Sequence, residues 1–186
     1  MDKVIIISGK SGSGKDMLGY FMKEALEKEN KRVLTIHYGD AVKWVLRDYF
    51  HWDGNKDEKG RSLLQHIGTD VVRAKYPNFW TNVVADLISA FENEFDVVII
   101  PDARFENEIQ IVMEKYPTLT CIRMERKNPD GSPWINPAFT PEQLAHPSET
   151  SLDDFSFKYI VHNDSGLEEL KESAIAILED LNLIKE

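Results

Sequence analysis

Val4-Ile5-Ile6-Ile7-Ser8-Gly9-Lys10-Ser11-Gly12-Ser13-Gly14-Lys15-Asp16 decides how this chain is read. Lys3 to Ser8 is a compact β-branched run, the pattern of a strand buried on both faces. Gly9 to Lys15 fits G-x-x-x-x-G-K. Met17, Leu18, Phe21, Met22, Ala25 and Leu26 then recur at helical spacing, which predicts a helix to about Glu29. Glycines placed between a strand and a helix let consecutive backbone N–H groups turn towards one anion, and the helix N-terminus adds partial positive charge. Lys15 would reach the terminal phosphates of a nucleoside triphosphate. The plain alternative is a Gly/Ser turn, and the strand before it and the helix after it argue against that.

Outward from this loop, strands and helices alternate. Arg32 to His37, Asp96 to Ile100, Thr118 to Met124 and Tyr159 to His162 read as further strands, the second of them halted by Pro101-Asp102. Helices are expected from near Asp40, a reasonable N-cap, with Val42, Val45, Leu46 and Tyr49, and over about 61–75, 78–92 and 105–116. Ser165 and Glu168 have capping-box spacing and would open a last helix carrying Leu167, Leu170, Ile175, Leu178 and Leu181. Five strands interleaved with helices predict an α/β fold, a parallel sheet covered on both faces. No repeat or linker divides the chain, so residues 1–186 are read as one domain. His51 to Gly60 reads as a loop. Glu125 to Pro147 holds five prolines, with a short turn of helix expected after Thr140-Pro141. A stretch of that length between elements has the character of a lid.

Composition narrows the partners. The chain is 42% hydrophobic and 29% charged, which is globular, and its formal net charge is −10. An acidic surface repels nucleic acid and anionic membranes, so an anionic substrate must be held in a local basic pocket. Cys121 is the only cysteine and lies in an apolar run, so neither a disulfide framework nor a zinc cluster can be built and a reducing compartment fits. Val4 to Ile7 is too short for a signal-peptide core or a membrane span, and the expected location is the cytoplasm. His37, His51, His66, His146 and His162 show no metal-ligand spacing. Mg²⁺ carried by ATP is the only metal expected.

Asp16 stands where a Ser or Thr hydroxyl would serve Mg²⁺. A carboxylate 4 Å from a phosphate costs on the order of 4 kcal/mol per charge pair at an effective dielectric near 20. Asp16 is therefore read as a group that holds Mg²⁺ directly or through water, or else as a charge favoured at a helix N-terminus. Asp102 ends a buried strand, where ligands of open α/β sheets bind, and could orient metal-bound water or cap the following helix. Transfer between two anions needs several cations. Lys43, Arg61, Arg73, Arg104, Arg123 and Arg126 are the candidates besides Lys15, with Arg126 placed to serve from the lid. Arg104 could instead pair with Glu106 or Glu108, and Glu108 is read as support for an arginine. Trp44, Phe79 and Trp80 could sandwich an acceptor base or pack in the core, and Asp40 could touch the substrate sugar.

Gly-x-x-x-Ser-Gly-Lys-Asp resembles the loop of the bacteriophage-type deoxynucleoside monophosphate kinases and that of animal-type phosphomevalonate kinases. The likeness to the phage family continues through Leu64-Gln65-His66-Ile67-Gly68-Thr69-Asp70, Pro77-Asn78-Phe79-Trp80 and Val98-Ile99-Ile100-Pro101-Asp102-Ala103-Arg104-Phe105-Glu106-Asn107-Glu108. It extends to His146-Pro147-Ser148-Glu149 and Asp153-Asp154-Phe155. The resemblance implies a P-loop fold of the nucleoside-monophosphate-kinase type, with ATP donating to a deoxynucleoside monophosphate. Gly9, Lys10, Ser11, Gly12, Ser13, Gly14, Lys15 and Asp16 would hold the donor, and Asn163 resembles the adenine-facing loop, with an Asx turn as its alternative. Asp40, Lys43, Arg61, Arg73, Trp80 and Arg104 would face the acceptor across an acceptor-binding segment of about 40–95, with the lid over about 125–147. Lys15, Asp16, Asp102, Arg104 and Arg126 would serve the transfer, Asp16 and Asp102 as metal groups. A phage origin would make the compartment a host cytoplasm. Two rivals stand beside this reading: a kinase of another phosphorylated metabolite, phosphomevalonate-like, and a nucleotide-binding regulator without turnover. An exposed apolar stripe on an acceptor helix could serve a homodimer.

Overall fold

β1 (Lys3–Gly9) lies at the centre of a five-stranded sheet of order β2-β3-β1-β4-β5, in which every neighbouring pair is parallel. The computed structural model describes Met1 and residues 3–185. The other strands are β2 (Val33–Thr35), β3 (Val97–Ala103), β4 (Thr120–Glu125) and β5 (Tyr159–His162). Because side chains alternate along a strand, β1 splits its apolar run between two layers. Ile5 and Ile7 pack with Leu18, Met22 and Leu26 of α1 (Lys15–Lys28), and that layer also takes Leu170, Ala174 and Leu178 from the C-terminal helix. Val4 and Ile6 face the opposite layer with Val84, Ala85 and Ile88 on one helix and Ile109 and Val112 on another. Each of these fully buried isoleucines contributes about 1.5–3 kcal/mol relative to exposure. Parallel pairing with helices on both faces therefore follows from a strand that is apolar on both sides.

Between β2 and β3 the chain builds a helical flap with a small core of its own. It comprises α2 (Tyr38–Phe50), α3 (Glu58–Gln65), a π-helical segment (His66–Arg73) and α4 (Phe79–Ala90), packed around Val42, Leu46, Ile67 and Trp80. α5 (Glu106–Lys115) follows β3. α6 (Pro141–Ala145) and α7 (Pro147–Thr150) break the proline-rich segment, and α8 (Leu167–Asp180) closes the chain.

Four local expectations are corrected. Pro101 does not halt β3, which runs on to Ala103: the register passes from Ile6 opposite Ile100 to Ser8 opposite Ala103, so Pro101 and Asp102 together oppose Ile7. A bulge tolerates a residue that cannot donate to the ladder. Asp40 is not an N-cap, because α2 begins two residues earlier, where the Asp102 carboxylate accepts from Tyr38 N and Gly39 N at 2.9 Å each. The helix expected over 61–75 starts at Glu58, capped by the Asp57 side chain on Gly60 N, and widens into the π-helical segment at His66. Ser165 does not cap α8, whose N-cap is Gly166 at φ 126° with no side-chain cap bond.

Candidate active site

The donor loop leaves β1 at Gly9 and enters α1 at Lys15. Gly14 sits at the α1 N-cap with φ 102°, and a Cβ there would lie 2.5 Å from Asn163 Nδ2. Gly12 has φ 80°, and a Cβ there would lie 2.6 Å from the Trp134 ring. Both positions combine a left-handed backbone with close cover, so only glycine fits them. Lys15 is 6% exposed and its Nζ donates to Lys10 O at 2.8 Å, curling back over the loop. Burial, and then the positive charge of Arg104, pull Lys15 down to about 7, against the raising effect of Glu149, Asp16 and Asp102.

A cavity of about 270 Å³ opens from this loop beneath the flap. Its lining brings together Lys15, Asp16, Asp102, Arg104, Lys43, Arg61, Arg73 and Trp80 from the sequence-derived candidates. Asp102 faces it from the C-terminal end of β3 while capping α2, a different helix from the one that follows it in sequence. Asp16 Oδ1 lies 3.2 Å from His37 Nε2, and His37 Nδ1 lies 3.3 Å from Asp40 Oδ2. The hydrogen bond between them lowers Asp16 and raises His37. Asp40 also takes Lys43 Nζ at 2.8 Å, so it stands beside the cavity as a partner of two cavity residues.

The cations differ in how far they are already engaged. Arg73 pairs with Glu108, touches Asn107 Oδ1 and Pro77 O, and lies over the Phe105 ring at 4.2 Å. Glu108, wholly buried, also accepts from Arg104 N and Phe105 N; burial pushes its carboxyl up to about 7 while Arg73 and those N–H groups pull it down. Arg61 is stacked on the Phe139 ring at 4.6 Å, and its buried Nε has no hydrogen-bond partner. Lys56, exposed on the polar loop before α3, has Lys43 and Arg61 as like-charged neighbours, and desolvation and those charges lower it. An unpaired guanidinium nitrogen beside crowded positive charge is what an anion site looks like when it is built into a protein.

Other candidates lie elsewhere. Arg126 is outside the cavity, donating to Gly12 O at 3.2 Å and lying over Trp134 at 4.5 Å. Arg123 pairs with Asp153 at 2.7 Å. Asn163 donates to Ser13 O at 3.0 Å and so braces the donor loop. Trp44 and Phe79 are exposed, edge-on to Tyr49 and Trp80 respectively, while Trp80 is core, its indole N–H on Gly68 O at 2.9 Å. The proline-rich segment touches both sides of the cleft. Asn136 Nδ2 reaches Ser11 Oγ at 3.3 Å on the donor loop, and Gln143 Nε2 reaches Ser62 Oγ at 2.9 Å on the flap.

Sequence reasoning gave no role to His37, Lys56, Gln65, Phe139 or Glu149, all of which line the cavity. Glu149 and Gln65 stood inside quoted motifs, the only signal that could have marked them. His37 and Lys56 carried none, since strand ends and polar loops abound in both residue types.

Asp16 and Asp102 both line the cavity and offer hard oxygen donors, and each Asp102 oxygen keeps a lone pair beyond its single N–H partner. That set suits Mg²⁺ if phosphate and water oxygens complete the shell. Among the described residues no group of three or more His, Cys, Asp or Glu is arranged to hold a metal alone. No helix among them is long and apolar enough to cross a membrane.

A sugar kinase from Janibacter sp. HTCC2649 superposes with a TM-score of 0.58 at 12% identity, covering 100% of both chains. The shikimate kinase of Aquifex aeolicus covers 98% of this chain and 99% of its own at 14% identity, with a TM-score of 0.49. No curated protein matches the chain at a significant level. The sequence profile of the phosphomevalonate kinase family matches residues 7–118, well over half the chain and inclusive of the donor loop, the flap and Asp102. The chain belongs to that family, and it is a P-loop kinase of a small metabolite.

Proposed function

We propose that the protein transfers the γ-phosphoryl group of ATP to the 5′-phosphate of a deoxynucleoside monophosphate. The observation that carries this reading is the cavity itself. Besides Lys15 its lining combines cations, Arg61 and Lys56, with apolar and aromatic groups, Val42, Leu64, Phe105 and Phe139. Cations suit a phosphate, and flat apolar walls suit a base. The motifs shared with the phage-type kinases continue past residue 118 to His146-Pro147-Ser148-Glu149 and Asp153-Asp154-Phe155, beyond the phosphomevalonate kinase match.

In this reading the donor loop cradles the triphosphate, and Lys15 moves from Lys10 O to its terminal phosphates. Residues of about 40–95 form the acceptor side, and the segment of about 125–147 is the lid that excludes water and suppresses ATP hydrolysis. The acceptor is already nucleophilic through its phosphate oxygen, so no general base is required. Arg104 and Arg61 offset the charge spread over the equatorial oxygens during transfer. Mg²⁺, held by Asp16 and Asp102 with the phosphates, would supply charge neutralisation for the donor. Arg126 and Asn163 act on the loop that holds the donor, through Gly12 O and Ser13 O.

A second reading, phosphomevalonate as acceptor, is favoured by the family match over residues 7–118. A coupled ADP-release assay across the deoxynucleoside and ribonucleoside monophosphates and phosphomevalonate separates the two. Turnover with a deoxynucleoside monophosphate is expected; turnover with phosphomevalonate alone would replace the acceptor. Binding of ATP without ADP formation on any acceptor would favour a regulator.

A further inference from the structure

Glu149 is an unexpected carboxylate beside a phosphate cradle. Its Oε2 accepts from the donor-loop amide Ser11 N at 2.9 Å, and its Oε1 accepts from Arg104 Nη1 at 2.7 Å. The side chain is only 5% exposed. It is carried on α7, which is fixed on the flap side as well: His146 Nε2 lies 3.2 Å from Asp70 Oδ1, and Gln65 Nε2 reaches Ser148 Oγ at 3.4 Å. Arg104 Nη1 also reaches Ser148 O at 3.3 Å.

Such a carboxylate could do one of two things. It could sit where a phosphate oxygen belongs and be expelled when nucleotide arrives, or it could stay and hold its partners. Expulsion of a side chain that is 5% exposed would require α7, held to the flap through Asp70 and Gln65, to shift. Retention leaves the guanidinium usable, because only Nη1 of Arg104 is engaged among the described residues and Nη2 and Nε remain for a ligand. Arg104 lines the same cavity as Lys15, the lysine that serves the donor.

We propose that Glu149 is a positioning residue, whose carboxylate ties the Arg104 guanidinium to the donor loop at Ser11 so that Arg104 faces the terminal phosphate of the bound triphosphate. This rests on the phosphoryl-transfer reading above. The same link couples the two halves of the site, since α7 is braced against the flap through Asp70 and Gln65.

The test compares ADP with a non-hydrolysable ATP analogue, both with magnesium, by titration calorimetry on the full chain. The variants are Glu149→Gln, Glu149→Asp, Arg104→Ala and the double variant Arg104→Ala/Glu149→Gln. Glu149→Gln is expected to weaken the analogue about tenfold and ADP by less than about twofold, the size of one charge-assisted hydrogen bond. The double variant should bind the analogue no more weakly than Arg104→Ala, because Glu149 acts through that arginine. Should Glu149→Gln melt early, Glu149→Asp, which keeps the charge but shortens the reach, should show a loss confined to the analogue. Tighter binding of the analogue by Glu149→Gln would overturn the assignment and make the carboxylate a placeholder. Equal losses for both nucleotides, or additive losses in the double variant, would also overturn it and leave Glu149 a prop of the loop. Failure of the unaltered protein to bind either nucleotide would remove the phosphoryl-transfer reading, and this assignment with it.

Discussion

Arg73 and Glu108 form an ion pair almost wholly withdrawn from solvent, with side-chain exposures of 11% and 2%. It joins the last turn of the π-helical segment to the first turn of α5, so this charge pair ties the flap to the helix that follows β3. Removing one partner strands a buried charge. Glu108→Ala should therefore destabilise the protein by about 3–5 kcal/mol, and Arg73→Ala by less, because Glu108, already at about 7, then takes up a proton. Chemical denaturation of both variants checks this, and a loss below about 1 kcal/mol would show that the flap does not depend on the pair.

Lys15 should make nucleotide binding depend on pH. Its folded value of about 7 means that the free protein has largely lost this proton by pH 8.5, while phosphates beside the ammonium restore it. ATP binding should then take up about one proton at pH 8.5 and weaken by up to about tenfold per pH unit above 7. Calorimetry in two buffers of different ionisation enthalpy measures the uptake directly; none at pH 8.5 would contradict this placement of Lys15. Lys15→Ala should abolish transfer.

Gly12→Ala should fail for two reasons at once, a left-handed φ of 80° and a Cβ 2.6 Å from Trp134. The expected outcome is a loss of ATP affinity of more than about tenfold with the fold retained, because the strain is confined to the donor loop. Unchanged affinity in a folded variant would show that the loop relaxes freely.

Asp16→Ala should shift the Mg²⁺ concentration needed for half-maximal activity, and free His37 of its main partner so that its titration moves down towards the ordinary histidine value. Activity titrated against Mg²⁺ reads the first and proton NMR of the imidazole reads the second. An unaltered Mg²⁺ dependence would remove Asp16 from the metal site.

The fold was legible wherever one short run carries its own pattern. The β-branched run of β1, the glycines after it and the period of α1 are local features, and all three stand in the structure as read. So do the short helix after Thr140-Pro141 and the final strand. What could not be read depends on distant partners. α2 starts early because Asp102, far along the chain, satisfies its first N–H groups. Pro101 continues a strand because β1 accommodates a bulge opposite it. The site divides in the same way. Lys15, Asp16, Asp102 and Arg104 sit at strand ends or helix starts that topology brings to one crevice. Lys56 and Phe139 come from loops whose path is set only by packing, and Arg126, read as a lid arginine, meets Gly12 O and the Trp134 ring, contacts that no local pattern announces.

Phosphorus NMR of a reaction containing ATP, Mg²⁺ and a deoxynucleoside monophosphate tests the central claim most directly. The expected result is stoichiometric loss of the ATP γ resonance with the appearance of ADP and of a second diphosphate formed from the acceptor. Release of orthophosphate alone, or an unchanged acceptor resonance for every deoxynucleoside monophosphate, would contradict transfer to that phosphate.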